Sequence, residues 1–351
     1  GLGDVYKRQA YHLVFDYSAN PVSIIRSDKT TNYSSMGQAL RELKDSDTLR
    51  LNQPYQIASS ADCIVVTVPN VTLDLNGHDV TVTNSIANSP VQVNANDGTF
   101  RLVNNSDKVA TITPYTDANY TIHAVSAISS SKTNFVTVDV GENIDLVNDI
   151  ELGSGARTTE TAMSQDRTNL CKVQVGEENS DNYIYSFTDL DTIASLGSAD
   201  DLVTVTLLGD ATTGIEYTIA DVPMVIDLDG HTVSAGAARN SVISIPDGHD
   251  SVDLTVQNGK IDGDGVSSAA SVLSENCTLV LDGLKMTSSG DFGIAANGSA
   301  SGEENSSTGL KLTVRNCSLK NSTNSQETVG IFFPAKDGTL TIEDSQITGY
   351  N

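Results

Sequence analysis

Two histidines at matching positions of a repeated motif are the first side chains that suggest chemistry. His78 lies in the run LDLNGHDV at 73–80, and His231 lies in IDLDGHTV at 226–233, which begins 153 residues later. A histidine in such a place can act as a general base or as a metal ligand. Four looser copies of the motif hold Gly259, Leu284, Cys317 and Ser345 at this position. Because those residues are mostly small or apolar, we interpret the position as an inward-facing slot. We expect each histidine there to have a structural role and to hydrogen-bond neighbouring backbone.

Three aspartates near the bends of adjacent copies are candidates for binding a cation. Asp262, Asp264 and Asp282 are the carboxylates concerned. A Ca²⁺ ion takes roughly six to eight oxygen ligands, part of which such turns can supply. Aspartates at turns are also common as solvated turn formers. The sequence leaves both interpretations open and indicates no other cofactor.

The motif that carries these residues recurs six times with one pattern of residue types. Its copies begin at Leu73, Ile226, Leu254, Leu279, Leu312 and Leu340, and the last five follow one another at steps of 28, 25, 33 and 28 residues. The first, third and eighth positions are apolar, and the fifth is always Gly, Asn or Asp, which tolerate a left-handed backbone. Each copy is therefore predicted to be a strand, a sharp bend and a second strand.

Two arrangements of these copies are possible. Asn-Gly between alternating apolar residues is typical of a β-hairpin. The regular recurrence favours a stacked solenoid, because one strand–bend–strand unit cannot bury its apolar face alone. We therefore predict that Leu254, Leu279, Leu312 and Leu340 stack on one another in continuous internal ladders. Further apolar segments at 242–246, 271–273, 293–298 and 330–335 indicate at least three extended segments in each period. The turn insertion at 298–309 is expected to bulge from one face.

The chain repeats the same order of elements twice. Met36, Leu40 and Leu43 predict a short helix at about 35–45 that is capped by serine. Leu190 and its neighbours predict a second helix that ends near Gly197. We divide the chain into a tail at 1–9, a first unit at 10–152, a linker at 153–170 and a second unit at 171–351. Residues 10–33 are poorly patterned, with a possible strand at Tyr11–Phe15.

Composition limits the classes of partner. The chain of 351 residues has 45 acidic and 20 basic residues, a formal charge of −25, so nucleic acid and anionic membrane surfaces are disfavoured as partners. Only 5% of residues are aromatic and Trp is absent, which predicts an aliphatic core. The four cysteines are isolated in the sequence, which makes a zinc site improbable. We interpret Cys277 and Cys317 as small core residues rather than a disulfide.

The repeats resemble the right-handed parallel β-helix of the pectate-lyase-like superfamily. The units of a helix followed by a TLDLNGH-type motif, at 36–83 and 187–234, are similar to repeats of adhesin-like surface proteins from gut bacteria. The resemblance implies an all-β, right-handed parallel β-helix solenoid with a short helix at the start of each of two tandem units. The superfamily's hydrolase motifs Asn-Thr-Asp, Gly-His-Gly and Arg-Ile-Lys and its lyase motif Arg-x-Pro-x-x-Arg do not occur here.

Three functions remain open from the sequence. The first is a non-catalytic stalk or adhesin-like segment of a large bacterial surface protein, located outside the cell and in contact with glycans or host surface proteins. The others are a polysaccharide lyase or hydrolase of the same fold and a non-catalytic glycan-binding module. We expect no catalytic activity and no membrane contact in this segment.

The two termini carry a further expectation. The opening GLGDVYKRQ resembles the adapter-derived tails of genes predicted from metagenomic assemblies, so we expect residues 1–9 to be non-native. No signal peptide is visible, and a missing native start would explain that. We also expect the chain to continue into further repeats, which predicts self-association or a frayed last row, with weak amide protection over 340–351 in hydrogen exchange.

Overall fold

The computed structural model describes residues 20–117, 119–131, 133–159, 163, 167–177, 183–236, 239–297, 308–323 and 328–350. Within these ranges the protein is mostly β-strand with long parallel sheets, and its two α-helices are short. The prediction of an all-β fold is confirmed at this level. The tail at 1–9, the possible strand at Tyr11–Phe15 and nearly all of the insertion at 298–309 lie outside the described residues.

The first half of the chain contains fifteen strands, one α-helix and a short 3₁₀ helix at Ser60–Asp62 among the described residues. The elements are, in chain order, β1 (Val22–Arg26), β2 (Lys29–Tyr33), α1 (Met36–Glu42), β3 (Thr48–Leu51), β4 (Tyr55–Ile57), β5 (Ile64–Val66), β6 (Thr72–Asp74), β7 (Val80–Val82), β8 (Val91–Val93), β9 (Thr99–Val103), β10 (Ala110–Thr113), β11 (Val125–Ala127), β12 (Val136–Val140), β13 (Ile144–Leu146), β14 (Ile150–Leu152) and β15 (Ala156–Thr159).

The second half follows the same scheme with longer strands. Its elements are β16 (Leu170–Val175), β17 (Tyr183–Ser186), α2 (Leu190–Ala194), β18 (Val203–Leu207), β19 (Ile215–Glu216), β20 (Met224–Asp227), β21 (Thr232–Ser234), β22 (Ser241–Ile245), β23 (Asp253–Gly263), β24 (Ser268–Val272), β25 (Thr278–Ser288), β26 (Phe292–Ala296), β27 (Lys311–Arg315), β28 (Ser318–Asn321), β29 (Val329–Phe332), β30 (Thr339–Glu343) and β31 (Gln346–Thr348).

The strands of the first half return to three sheets in a fixed order. Strands β3, β6, β9, β12 and β15 pair in parallel in one sheet. Strands β4, β7, β10 and β13 form a second parallel sheet, and β5, β8, β11 and β14 form a third. From β3 to β15 the chain therefore visits the first, second and third sheets in turn, pass after pass.

In the second half the chain alternates between the large sheet and one other parallel sheet. Strands β18, β20, β23, β25, β27 and β30 are successive parallel neighbours in the large sheet. The additional apolar segments predicted in each period are β22, β24, β26 and β29, which with β19 form one parallel five-stranded sheet. That prediction is confirmed.

The aligned leucines stack as the repeat predicts. Leu254 pairs with Leu279, Leu279 with Leu312, and Leu312 with Leu340, one in each neighbouring strand. The fifth motif position also behaves as expected, since its φ angle is positive in every copy. These positions are Gly77 (78°), Gly230 (82°), Asn258 (59°), Gly283 (64°), Asn316 (54°) and Asp344 (46°).

Two copies of the motif, those that begin at Leu73 and Ile226, contain Gly-His at the bend. For the copy at Ile226, the sequence alignment with the later copies is wrong by two residues in the strand before the bend. Ile226 pairs with Val256, and Met224 occupies the leucine column beside Leu254. After the bend the alignment is correct, since Val233 pairs with Ile261. The Gly-His bend therefore holds two more residues than the bend at Asn258. In the first half, Leu73 pairs with Leu102 of the next row.

Both predicted helices are present, although α1 is shorter than the predicted span of about 35–45 and only α1 has a side-chain cap. Helix α1 begins after Ser35, whose hydroxyl accepts a hydrogen bond from the Gln38 backbone N–H at 3.3 Å. Helix α2 follows Asp189 and buries Leu190 and Ile193. An antiparallel hairpin precedes each helix, β1–β2 in the first half and β16–β17 in the second, and each hairpin pairs with the first row after its helix.

The segment predicted as a linker at 153–170 is in part a strand, which corrects the prediction there. Strand β15 pairs in parallel with β12 and antiparallel with β17, so the large sheet passes from one half of the chain to the other. Ala156 and Thr158 of β15 are 1% and 0% exposed. The four-residue strand is too short for its alternation to be recognised in the sequence. The division of the chain into two units stays a prediction.

The two hydrophobic cores lie on opposite faces of this continuous sheet. Thr158 is paired with Ile184, which belongs to the cluster of the first half. The next pair, Arg157 and Tyr185, faces the other way, and Tyr185 belongs to the cluster of the second half. Directly paired residues share a face and successive residues alternate. The sheet therefore changes the face that it buries between β15 and β17.

Arg157 makes the side-chain contacts at this change of face. Its Nε donates to the Thr137 hydroxyl at 2.9 Å, and its Nη1 donates to the Tyr185 hydroxyl at 3.3 Å. Its guanidinium carbon lies 4.1 Å from the ring centroid of Tyr183 and 5.7 Å from that of Phe135. One cation thus joins strands from both halves by hydrogen bonds and by contact with aromatic faces.

The last described row exposes residues whose counterparts are buried in the row before it. Leu340 and Ile342 are 38% and 47% exposed, whereas their partners Leu312 and Val314 are fully buried. The hydrogen-exchange expectation for this row stays a prediction.

A methyl group at Gly259 is expected to destabilise the second half. A Cβ at this position would lie 2.4 Å from Leu228 Cβ and 2.7 Å from the His231 carbonyl oxygen. We expect Gly259→Ala to lower the free energy of unfolding by about 1–3 kcal/mol through overpacking, measured by urea denaturation. Gly37→Ala in helix α1 is the control, because its Cβ would meet only Arg41 Nη1 at 3.8 Å. Equal stability of the Gly259→Ala variant and the parent would contradict the close packing at this bend.

Candidate functional site

The two motif histidines lie at bends that are closed by backbone hydrogen bonds. The His78 N–H donates to the Leu75 carbonyl at 2.9 Å, and the His231 N–H donates to the Leu228 carbonyl at 2.8 Å. The His231 carbonyl accepts from the Lys260 N–H at 3.0 Å. These bonds come from main-chain atoms and stabilise the bend. The expected hydrogen bonds from the histidine side chains to neighbouring backbone stay a prediction.

The histidine side chains are only partly inside the fold. The His231 side chain is 35% exposed and its Nδ1 lies 3.7 Å from Asp210 Oδ1. Partial burial lowers the pKa of His78, with Lys108 adding to the effect. Leu284 and Cys317, at the same motif position, are 1% and 5% exposed. The inward-facing interpretation is therefore correct for these two residues and incomplete for the histidines.

A row of aspartates immediately before the bends connects each row to its neighbours. Asp227 accepts from Gln257 Nε2 and Asn258 Nδ2, both at 3.0 Å and both in the next row. Asp282 accepts in the same way from Arg315 Nε at 2.8 Å and Asn316 Nδ2 at 2.9 Å. These carboxylates therefore hold successive bends in register.

The equivalent aspartate of the first half is completely buried. Asp74 is 0% exposed and accepts from Arg50 Nε at 2.7 Å in the preceding row. It also accepts from Asn105 Nδ2 at 3.0 Å in the following row and from the Asn76 backbone N–H at 3.0 Å. A buried carboxylate without such partners would be strongly destabilising. The bonds thus explain why a charged residue is tolerated inside this bend.

The three aspartates proposed as calcium ligands have separate hydrogen-bond partners. Asp262 Oδ1 accepts from the Asp264 N–H at 3.1 Å and from the Thr287 hydroxyl at 3.4 Å. Asp264 Oδ1 accepts from the Ser322 hydroxyl at 2.5 Å. Asp282 pairs in register with Gln257, on the opposite side of the bend from Asp262. The geometry supports the interpretation of these residues as turn formers and brings only Asp262 and Asp264 together.

In the described part of the chain, no cluster of three or more His, Cys, Asp or Glu side chains has an arrangement that could hold a metal ion. All four cysteines are free and buried, which confirms the interpretation of Cys277 and Cys317 as core residues. Complete burial raises the pKa of the Cys171 thiol, which keeps it protonated and unreactive.

Each helix borders a cleft at the start of its half of the chain. The cleft beside α1 has a volume of about 590 Å³ and is lined by Ser35, Tyr55 and Asp62 among others. The Tyr55 hydroxyl donates to the Asp62 carbonyl at 2.8 Å, and burial raises its pKa to about 12. The cleft beside α2, of about 220 Å³, has different lining groups that include Asp191 and Arg239. The two clefts lie at equivalent positions, each beside the helix of its half, but the side chains that line them are different.

A third cavity lies under the connection between β10 and β11. This connection runs from 114 to 124, whereas the equivalent connection in the next row, between β13 and β14, runs only from 147 to 149. Residues of the long connection and Asn148 of the short one together line a partly open space of about 340 Å³. Its lining residues are Tyr115, Thr116, Asp117, Asn119, Tyr120, Thr121, Ile122 and Asn148.

The sequence contained a sign of this cavity that the repeat pattern obscured. The run PYTDANYTIHA places two tyrosines, an aspartate and an asparagine between two strands of an aromatic-poor chain. The motif alignment does not extend to it, because connections lie outside the apolar columns. Tyr120 is 48% exposed, and polar loop residues with an exposed aromatic ring are typical of binding surfaces.

No protein family, no curated protein and no solved structure matches the chain. Neither helix in the described ranges is long and apolar enough to cross a membrane.

Acidification is expected to weaken the bond network at the Asp282 bend. The hydrogen bond from Asn316 and the ion pair with Arg315 lower the pKa of Asp282 in the folded protein. The network therefore stabilises the fold above the unfolded pKa of about 3.9, and this contribution is lost as the pH falls through the lower folded pKa. We expect Asp282→Asn to lose less stability than the parent in urea denaturation between about pH 5 and pH 2.

Asp229→Asn is the matched control for this measurement, because Asp229 is an exposed aspartate at an equivalent bend. It should keep the acid dependence of the parent. If Asp282→Asn lost stability as steeply as the parent, the network would not contribute to acid sensitivity.

Proposed function

We propose that this chain is a non-catalytic segment of an extracellular bacterial surface protein, a stalk or adhesin-like module built as a right-handed parallel β-helix. The observation that supports the proposal best is the fixed order in which the chain visits its parallel sheets. From β3 to β15 every third strand returns to the same sheet beside its predecessor. Such an order is what successive coils of a solenoid require.

The connections support a coiled path. In the first half, the connections from the second to the third sheet run over 58–63, 83–90, 114–124 and 147–149. These connections are 3 to 11 residues long, and among the described residues only the first holds a further element, the 3₁₀ helix at Ser60–Asp62. Such lengths accord with a path from one face of a coil to the next. Parallel strands joined by a crossover connection are right-handed in about 98% of cases, which is the basis for the proposed hand. Two tandem units, each opened by a hairpin and a helix, accord with the duplication in the sequence.

A stalk needs a rigid body more than a reactive site. The stacked rows are bonded along their length by parallel ladders, by the leucine columns and by the aspartates at the bends. The outward positions of one column are Val225, Thr255, Val280, Thr313 and Thr341, side chains that suit a solvated β-surface. The resemblance to adhesin-like repeats and the net charge of −25 accord with an exposed, soluble surface.

Mechanical unfolding tests the proposed coils. We expect a chain pulled from its two ends to unfold in steps that release one coil each, because rows contact only their neighbours. A repeat step of 25 to 33 residues corresponds to about 80–120 Å of contour length. Single-molecule force spectroscopy measures these increments. Release of the whole chain in one event would contradict the coiled, load-bearing arrangement.

Turnover assays test the absence of catalysis. We expect no unsaturated products and no new reducing ends from polygalacturonate, alginate or neutral plant and host glycans, with or without Ca²⁺. Sustained turnover that His231→Ala or Asp262→Ala abolished would favour the alternative of a polysaccharide lyase or hydrolase. Turnover unchanged by both variants would place the activity at other carboxylates, and it would equally contradict a non-catalytic role.

A further inference from the structure

We infer that the described residues of the β10–β11 connection, 115–117 and 119–122, form with Asn148 a binding site for a short neutral oligosaccharide. The inference does not depend on the stalk proposal, because a solenoid with or without mechanical function can carry such a site. Its basis is the cavity of about 340 Å³ between this connection and the row below. That volume falls within the range of small-molecule sites in proteins, roughly 300–1,000 Å³.

The cavity is held open by specific contacts. The Asn148 side chain donates from Nδ2 to the Ile122 carbonyl at 2.9 Å, and the main-chain carbonyl of Asn148 contacts His123 Nδ1 at 2.5 Å. Ile122 is 5% exposed and secures the end of the connection in the fold. On the other side, Asp117 Oδ1 accepts from the backbone N–H of Asn119 at 2.8 Å and from its Nδ2 at 3.1 Å. Hydrogen bonds to Asn148 thus attach the connection to the neighbouring row, and those between Asp117 and Asn119 stabilise the conformation of the connection itself.

The lining combines aromatic rings with hydrogen-bonding groups. Tyr120 is 48% exposed, which leaves ring surface available to a ligand, and Tyr115 lines the same space. The flat apolar face of a tyrosine ring packs against the C–H face of a sugar ring, and its hydroxyl serves as a polar contact. Thr116 and Thr121 supply exposed hydroxyls at the cavity. A polyhydroxylated ring matches this mixture of apolar face and polar edge.

The charges of the site select against an anionic ligand. Among the described residues that line the space, Asp117 is the only acidic one, and none is a lysine, arginine or histidine. A carboxylated or sulfated sugar would meet the Asp117 carboxylate with no cation to offset it, on a protein of formal charge −25. A neutral sugar avoids this repulsion and can donate hydroxyl hydrogen bonds to the carboxylate.

The test is saturation-transfer NMR on the whole chain with cellotetraose, xylotetraose, mannotetraose and maltotetraose, and with tetragalacturonate as the anionic probe. We expect transfer to at least one neutral tetrasaccharide and none to tetragalacturonate. Tyr120→Ala should weaken binding roughly fivefold to tenfold, and Tyr120→Phe should keep most of it. Val109→Ala is the control, because Val109 is 54% exposed and lies outside the cavity.

Amide shifts of the unmodified protein provide a second measurement that needs no variant. The bound tetrasaccharide should shift the amides of residues 115–123 and 148 and leave those of the second half in place. Absence of transfer from every neutral tetrasaccharide at about 10 mM, a range that detects even weak sites, would overturn the inference. Binding that Tyr120→Ala leaves unchanged, shifts confined to other residues, or binding of tetragalacturonate alone would overturn it as well.

Discussion

Parallel pairing in register is the constraint on which the rest of the structure depends. Neighbouring rows lie about 4.8 Å apart, so each buried side chain must fit directly against the residue one row before and one row after it. Leu254, Leu279, Leu312 and Leu340 satisfy this requirement with the same side chain. A single inserted residue within a strand would turn every following side chain to the wrong face. Changes of length are therefore confined to bends and connections, as the Gly-His bends and the 114–124 connection show.

The bends must also stay in register from row to row, but they are stabilised by left-handed residues and side-chain hydrogen bonds rather than by apolar packing. Their left-handed residues are glycine, asparagine and aspartate, which adopt this backbone conformation at low cost. The aspartate that precedes the bend adds bonds to the next row, from Gln257 and Asn258 to Asp227 and from Arg315 and Asn316 to Asp282. Carboxylates that in isolation suggest a cation site are in this way part of the scaffold. In such a repeat, regularly spaced acidic residues are better explained as hydrogen-bond acceptors between rows than as ligands of a cation.

The sequence predicts the features that follow from its hydrophobic periodicity. It does not predict where the length of a connection or the pairing partner of a strand changes from one row to the next. The helix caps at Ser35 and Asp189, the leucine columns and the left-handed bends follow from local residue types. The two-residue shift at Ile226 escapes a motif alignment, because residues of the same type stand at alternate positions. Strand β15 is recognised only through its partners β12 and β17. The cavity at Tyr120 depends on the difference between a long and a short connection in adjacent rows, which no single segment reveals.

The change of buried face between β15 and β17 has a consequence for folding cooperativity. Ile184 packs into one core and its neighbour Tyr185 into the other, so the two cores are separated by the thickness of the sheet backbone. Coupling between the two halves then passes through main-chain hydrogen bonds, through the contacts of Arg157, and through side chains that pack into the core of the other half, such as Ile184 in the first core and Phe135 against Tyr185. The shared strand thus links the unfolding of the two halves, because β17 cannot leave one core without also leaving the other.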